Sequence, residues 1–290
     1  MPSEDVLRAR LFLLHATEPP APAVHDFVTV HGPVDTVERI RHGTAPQAVQ
    51  AEIVWPDVMI DAELRALDNG IARLLTPEDD HWPLGSLISG SGITPPLALW
   101  VRGTAPLTEL VNSAVTITGS RAASPYGTQV ARDLSYELAA ADITIVTGGG
   151  FGIDDAATRA ALIPAAGRVV VAQPCGIDQP HPHQQTRLLN AVIEHGGLAI
   201  SEYPTGSRPS LTRFLGRAKL LAMLSSTTVI VEAGRRSGAL AVAHAASRLR
   251  RRVYAVPGSI YSATSAGSNE LLHSGIAYTA TSAEHVFQTR

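Results

Sequence analysis

The chain of 290 residues has a single cysteine, Cys175, so it holds no internal disulfide, and such usage fits a reducing cytoplasm. A lone thiol near a strand end reads first as a small buried residue, not as a nucleophile. No apolar run approaches the ~20 residues that cross a bilayer, so no membrane association is expected. At the start, Ser3, Glu4 and Asp5 precede Leu11-Phe12-Leu13-Leu14, which puts acids where a secretory signal carries cations. Catalytic signatures are missing as well. No GxSxG elbow supports a serine hydrolase. A GxxxxGK[ST] loop would need Lys and Ser/Thr after Gly127 or Gly152, and neither follows. The fingerprint GxGxxG could begin at Gly148 and Gly150 but meets Ile153 where it needs glycine. His181 and His183 have HxH spacing, but prolines interleave them and no third ligand stands beside them, so no metal or cofactor is expected.

What is present is a core-forming composition, 45% apolar, enough for one large or two modest domains. The net charge of −3 hides an asymmetry. Residues 1–112 carry 7 Lys/Arg against 15 Asp/Glu, whereas residues 113–290 carry 16 against 11. Residues 208–252 concentrate ten cations around one acid, Glu232. Such an asymmetry points to a polyanionic partner. For Arg248, Arg250, Arg251 and Arg252 the alternative is a solvated helix end, where cations also suit the helix dipole.

Residues 115–154 are the most informative stretch. They read strand, Gly-Ser-Arg turn, helix, strand, triple-glycine turn, helix. Residues 115–118 are β-prone and Gly119 ends them. Pro125 opens a helix with Val130, Leu134 and Leu138 at helical spacing. Residues 143–147 form the next strand, closed by Gly148, Gly149 and Gly150. Parallel strands joined by a helix place both turns at one carboxyl edge, where α/β proteins bind ligands. Backbone N–H groups there suit phosphate oxygens, and Arg121 adds a permanent cation. Further strands are expected over 97–101, 168–172, 198–201, 227–232 and 252–256, with helices over 184–195, 213–224 and 238–250. The expected fold is α/β: a doubly wound, mostly parallel, Rossmann-like sheet behind a small N-terminal helical domain. The expected boundaries are 1–75 for the helical domain, 76–112 for a linker with the first strand, and 113–290 for the sheet domain. Residues 61–75 read as one acidic amphipathic helix, and Val54-Trp55-Pro56 as punctuation.

In order along the chain stand GSR (119–121), PYG (125–127), GGGFGID (148–154), CGID (175–178), SEYPTG (201–206), FLGRAKLLAMLS (214–225), VEAGRRSGAL (231–240), AVPGS (255–259) and GSNELLHSG (267–275). This series resembles the DNA-processing protein A (DprA, or Smf) family, over about residues 97–276. GGGFGID stands for the usual SGLARGID. His181 replaces a tyrosine after CGID. The FPxRNRII segment becomes FLGRAKLL, which loses asparagine but retains Arg217 and Lys219. Many relatives also carry a C-terminal winged helix, for which the 290 residues leave no room.

The resemblance implies a non-enzymatic binder of single-stranded DNA that helps load the RecA recombinase in DNA uptake or recombination. It also implies a homodimer formed through the C-terminal part of the sheet domain, where Leu271, Leu272 and Ile276 are apolar enough to serve or to be core. The N-terminal region is similar to a sterile-alpha-motif-like domain, whose acidity suits protein contact better than DNA. The DNA or phosphate-binding set is Gly119, Ser120, Arg121, Gly148, Gly149, Gly150, Arg187, Arg217, Lys219, Ser237 and Gly238. Backbone N–H groups at the three glycine turns would receive phosphates, with Arg121, Arg217 and Lys219 neutralising them. Asp154 either caps the helix start or touches ligand. The rival is a phosphoribohydrolase-like nucleotide enzyme of the same superfamily. Its PGGxGTxxE segment is replaced here by VEAGRRSGAL, and Glu232, its one acid in the right place, reads better as organising the turn.

Overall fold

The computed structural model describes residues 2–55, 60–84 and 91–287; Pro56 therefore lies outside the described residues. The chain opens with α1 (Glu4–Ala16), α2 (Pro22–His31), α3 (Pro33–Arg41), α4 (Gln47–Ala51) and α5 (Asp61–Asp68). Ser3 caps α1 by accepting from the Val6 N–H. Leu11, Phe12, Leu13 and Leu14 are all buried, so α1 is the central helix of this region, covered on several sides. The acidic helix expected over 61–75 stops at Asp68, with Asn69 at its C-cap and Gly70 at φ 64°. Glycine adopts that left-handed turn freely, and the chain leaves it extended. Residues 73–75 are thus not helical but form β1 (Arg73–Leu75), the edge strand of the sheet.

The remaining elements alternate. They are β2 (Leu99–Arg102), α6 (Leu107–Asn112), β3 (Ala114–Thr118), α7 (Pro125–Ala140), β4 (Thr144–Thr147), α8 (Ile153–Ala161) and β5 (Val169–Ala172). A 3-10 turn at His183–Gln185 leads into α9 (Thr186–Glu194), β6 (Leu198–Ser201), α10 (Leu211–Met223), β7 (Thr227–Ile230) and α11 (Ala239–Arg248). The last are β8 (Arg252–Ala255), α12 (Ala266–His273), β9 (Tyr278–Thr279) and α13 (Ala283–Phe287). The nine strands lie in the order β1-β2-β6-β5-β4-β3-β7-β8-β9. Both pairings of β2 are antiparallel and the others are parallel.

Helices cover both faces, so parallel strands such as Val169-Val170-Val171 run apolar without alternation. Val169 and Val171 join the core shared with α7 and α8; Val170 joins the core of α10 and α11 on the other face. The expected doubly wound sheet is the one observed. Its winding direction reverses between β3 and β7, which opens a crevice at their carboxyl ends.

Polar ties fasten the helices to the sheet region. Buried Arg10 donates to Glu78 and to the Leu97 carbonyl. Glu63 lies 2.5 Å from His15 and accepts a bond from Thr205. Arg213 forks onto both oxygens of Glu18 at 2.8 Å. Several acids of the N-terminal region therefore serve docking within the chain.

Beside this seam, Glu202 follows β6 and is nearly buried against Gly216 of α10. Burial pushes its carboxyl up to about 7. A raised carboxyl stabilises the fold fully below its unfolded value, near 4.5, and loses that contribution as pH rises through 7. Glu202→Gln is therefore expected to stabilise the protein by about 2 kcal/mol at pH 8 and little at pH 5, measured by urea unfolding. An equal effect at both pH values would contradict this.

Candidate nucleic-acid interface

The site is built at the carboxyl edge, beginning with β3. Gly119 ends the strand where the chain passes against its neighbours: a Cβ there would lie 2.7 Å from the Glu232 carbonyl and from Ile153. The Ser120 N–H donates to that same carbonyl at 2.6 Å. Glu232, 2% exposed, closes the crevice between β3 and β7. One of its oxygens accepts the Ser124 N–H and the other the Thr264 hydroxyl. It organises the turn, as its position in the sequence suggests.

The triple-glycine turn follows β4. Gly149 takes φ 65°. At Gly148 a Cβ would meet the Arg217 guanidinium carbon and the Asp154 carboxylate, each at 2.8 Å. Arg217 donates to the Gly148 carbonyl at 2.7 Å. Asp154 accepts the Gly150 N–H at 3.1 Å and the Thr118 hydroxyl at 2.8 Å. The glycines are thus required by what lies beneath them. Burial pushes the Asp154 carboxyl up from its ordinary value, against the pull of Arg217 and the two donors. Burial likewise lowers Arg217, with Asp154 opposing it.

These bonds correct one expectation. The N–H groups of Ser120, Gly150 and Ser237 are already used, the last by the Gly234 carbonyl, and are not free for phosphate. Asp154 and Asp155 also occupy the first turn of α8, where they satisfy the positive helix end. Attraction for an anion must come mainly from side chains.

Those side chains converge above the turn. The Arg121 guanidinium carbon lies 4.6 Å from the centre of the Phe214 ring, and that of Arg217 4.9 Å. Both distances suit cation–π attraction. His181 meets the same ring edge-on at 5.6 Å. Burial lowers the His181 pKa, and the two arginines push it the same way, both disfavouring the imidazolium. Arg121 is exposed and Arg217 half-buried, its Nε shielded from solvent without a hydrogen-bond partner. Phe151, within the glycine turn, is 43% exposed. Sequence reasoning singled out neither phenylalanine, although both stand inside quoted motifs.

Other expected residues lie elsewhere. Lys219, two positions after Arg217 and so near the opposite side of α10, lines a cavity with Glu202, Pro19 and Pro20. It does not join Arg217 at the glycine turns. Arg187 is exposed on α9, and Gly238 is open at the start of α11. Leu271 is 2% exposed in the core, which removes it from any interface; Leu272 and Ile276 are half-buried. Burial pushes the Cys175 thiol up to about 12, and it donates to the Gln179 carbonyl. No metal-binding cluster occurs among the described residues. None of their helices is long and apolar enough to cross a membrane.

Gly148→Ala is expected to cost about 2 kcal/mol in urea unfolding, because its Cβ must displace Arg217 or Asp154. Unchanged stability would mean that the turn is not closed from below as described.

Comparison with known proteins agrees with this architecture. The family model described as DNA recombination-mediator protein A matches residues 73–290. The chain is 39% identical over 284 residues to the putative DNA processing protein DprA of Mycobacterium tuberculosis strain H37Rv, covering 94% of this chain and 72% of that protein. It is 31% identical to protein Smf of Escherichia coli K12 over 242 residues, 83% of this chain and 63% of the relative. The X-ray structure of DprA from Streptococcus pneumoniae superimposes with a TM-score of 0.79 at 25% identity, covering 100% of this chain and 99% of that one. A structure of DNA processing protein A from Helicobacter pylori, solved for its single-stranded DNA binding mode, gives a TM-score of 0.64 at 27% identity, with 75% and 94% covered. By its sheet, its ordered motifs and this match over three-quarters of its length, the chain belongs to the DNA recombination-mediator protein A family.

Proposed function

We propose that this protein binds single-stranded DNA across the carboxyl edge of its sheet, in DNA processing and recombination. The observation that carries this reading is the placing of Arg121 and Arg217 about one aromatic ring, Phe214, at an open edge. Arg217 is balanced by buried Asp154, but no carboxylate is paired with Arg121 among the described residues. The cluster therefore keeps a net positive charge toward solvent. A phosphate oxygen would take the Arg121 guanidinium in place of water. Phe151 offers an exposed apolar face, and stacking on such a face tolerates every base. Binding would then depend strongly on salt and little on sequence.

In this role the protein works by holding a strand, not by cleaving one. Both oxygens of Glu232 are engaged inside the turn, and the Cys175 thiol is held protonated. Handing the strand to a RecA recombinase and pairing as a homodimer belong to the same reading. For the dimer, the half-buried Leu272 and Ile276 remain the contact candidates. The N-terminal helices are docked on the sheet through Glu18 and Glu63.

Fluorescence anisotropy with labelled oligo-dT tests the reading. Arg121→Ala is expected to weaken binding at low salt about tenfold and to flatten the slope of log K against log[salt] by about 0.7, the share of one phosphate on a single strand. Absence of wild-type binding, or an unchanged affinity and slope in the variant, would contradict it.

A further inference from the structure

A groove of about 900 Å³ opens at the amino edge of the sheet, opposite the glycine turns. The first residues of β3, β7 and β8 form part of its wall. Arg250, Arg251 and Arg252 line it together with the polar side chains of Asn112 and Ser226, and among the described residues no carboxylate lines it. Among the described residues none of these arginines forms an ion pair. Arg251 is partly buried and donates to the Ser225 carbonyl; burial alone lowers its pKa. A shielded guanidinium without a counter-charge is costly unless an anion supplies one. Arg250 holds φ 57°, just past the end of α11, where glycine or asparagine would ordinarily stand. Neither its conformation nor its pairing within the chain accounts for an arginine there.

We infer that this groove is a second phosphate-binding site, which takes the backbone of the same single-stranded DNA that is held at the opposite edge. The inference rests on the proposed single-stranded DNA binding. Charge complementarity selects the ligand: three cations and neutral donors, with no acid among the described lining residues, suit phosphodiester oxygens. Among the described side chains no aromatic ring lines the groove, so it would grip backbone and leave bases free. The two sites lie at opposite ends of β3, whose five residues span ~17 Å. A strand must pass over the flanking helices to reach both, which is further still. A stacked oligonucleotide of about 6 residues spans ~20 Å and would occupy one site only, whereas one of about 30 would reach both.

The test compares oligo-dT of about 6 and about 30 nucleotides on the wild type and on the Arg250→Asn/Arg252→Gln variant. Both substituted side chains are solvent-exposed and without a hydrogen bond of their own among the described residues, and asparagine tolerates the left-handed backbone. A thermal melt confirms the fold. The expected result is a roughly tenfold loss for the long oligomer, a salt slope flatter by about 1.4, and no change for the short one. Unchanged binding of the long oligomer would overturn the inference. So would an equal loss at both lengths, which would mark a general field instead of a second site. If the variant kept its DNA affinity but lost a poly-glutamate peptide bound by the wild type, the groove would belong to an acidic protein segment. Failure of the wild type to bind either oligomer would instead overturn the underlying reading, and this inference with it.

Discussion

The carboxyl edge depends on one electrostatic pairing, that of buried Asp154 with half-buried Arg217. Asp154 stands in the first turn of α8 and reaches β3 through Thr118 and the triple-glycine turn through Gly150. Arg217 comes from α10 on the other face of the sheet and holds the Gly148 carbonyl. Four elements are thereby fixed to one another around two opposite charges. A buried carboxylate at Asp154 would be expensive without the cation beside it, and together they hold the turn in one shape. The close approach also explains glycine at 148, since a methyl group there would meet both side chains.

From that base the exposed groups follow. Arg217 approaches the Phe214 ring from its own helix, and Arg121 reaches the same ring from the turn after β3. The interface is therefore a pre-positioned cation-and-ring cluster more than an array of free N–H groups. Preorganised charge of this kind costs little to bring to a ligand. The N-terminal helices contribute from behind: Glu18 fixes Arg213 at the start of α10, and Arg213 packs over Tyr203. The acidity of residues 1–112 and the basicity of 208–252 thus meet in part within the chain.

Much of the fold could be read from the sequence because parallel strands buried on both faces show as apolar runs, and glycine turns punctuate them. The strand at 198–201 matches β6 residue for residue, and the helix opening at Pro125 is α7. The edge strand β1 was not legible: three residues, Arg73, Leu74 and Leu75, continue the apolar spacing of α5, and only Gly70 marks the break. At the site, Arg121 and the glycine turns could be identified from their position at strand ends. The use of the N–H groups could not: Glu232 takes those of Ser120 and Ser124 across the fold, and Asp154 takes that of Gly150 only because the turn folds back over its carboxylate. The motif groups Lys219 with Arg217, whereas residues two apart on a helix point to nearly opposite sides, so Lys219 faces the cavity by Glu202. Phe214 was missed because a ring becomes a binding element only through what surrounds it.

The central claim is that a strand lies on the cluster formed by Arg121, Phe214 and Arg217. Photocrosslinking of an oligo-dT that carries a photoreactive thymidine, followed by mass spectrometry of the peptides, tests it directly. The account predicts adducts on Phe214 or Phe151 and on residues 119–121, lost when unlabelled oligo-dT competes. Adducts confined to other surfaces, with none on these segments, would contradict it.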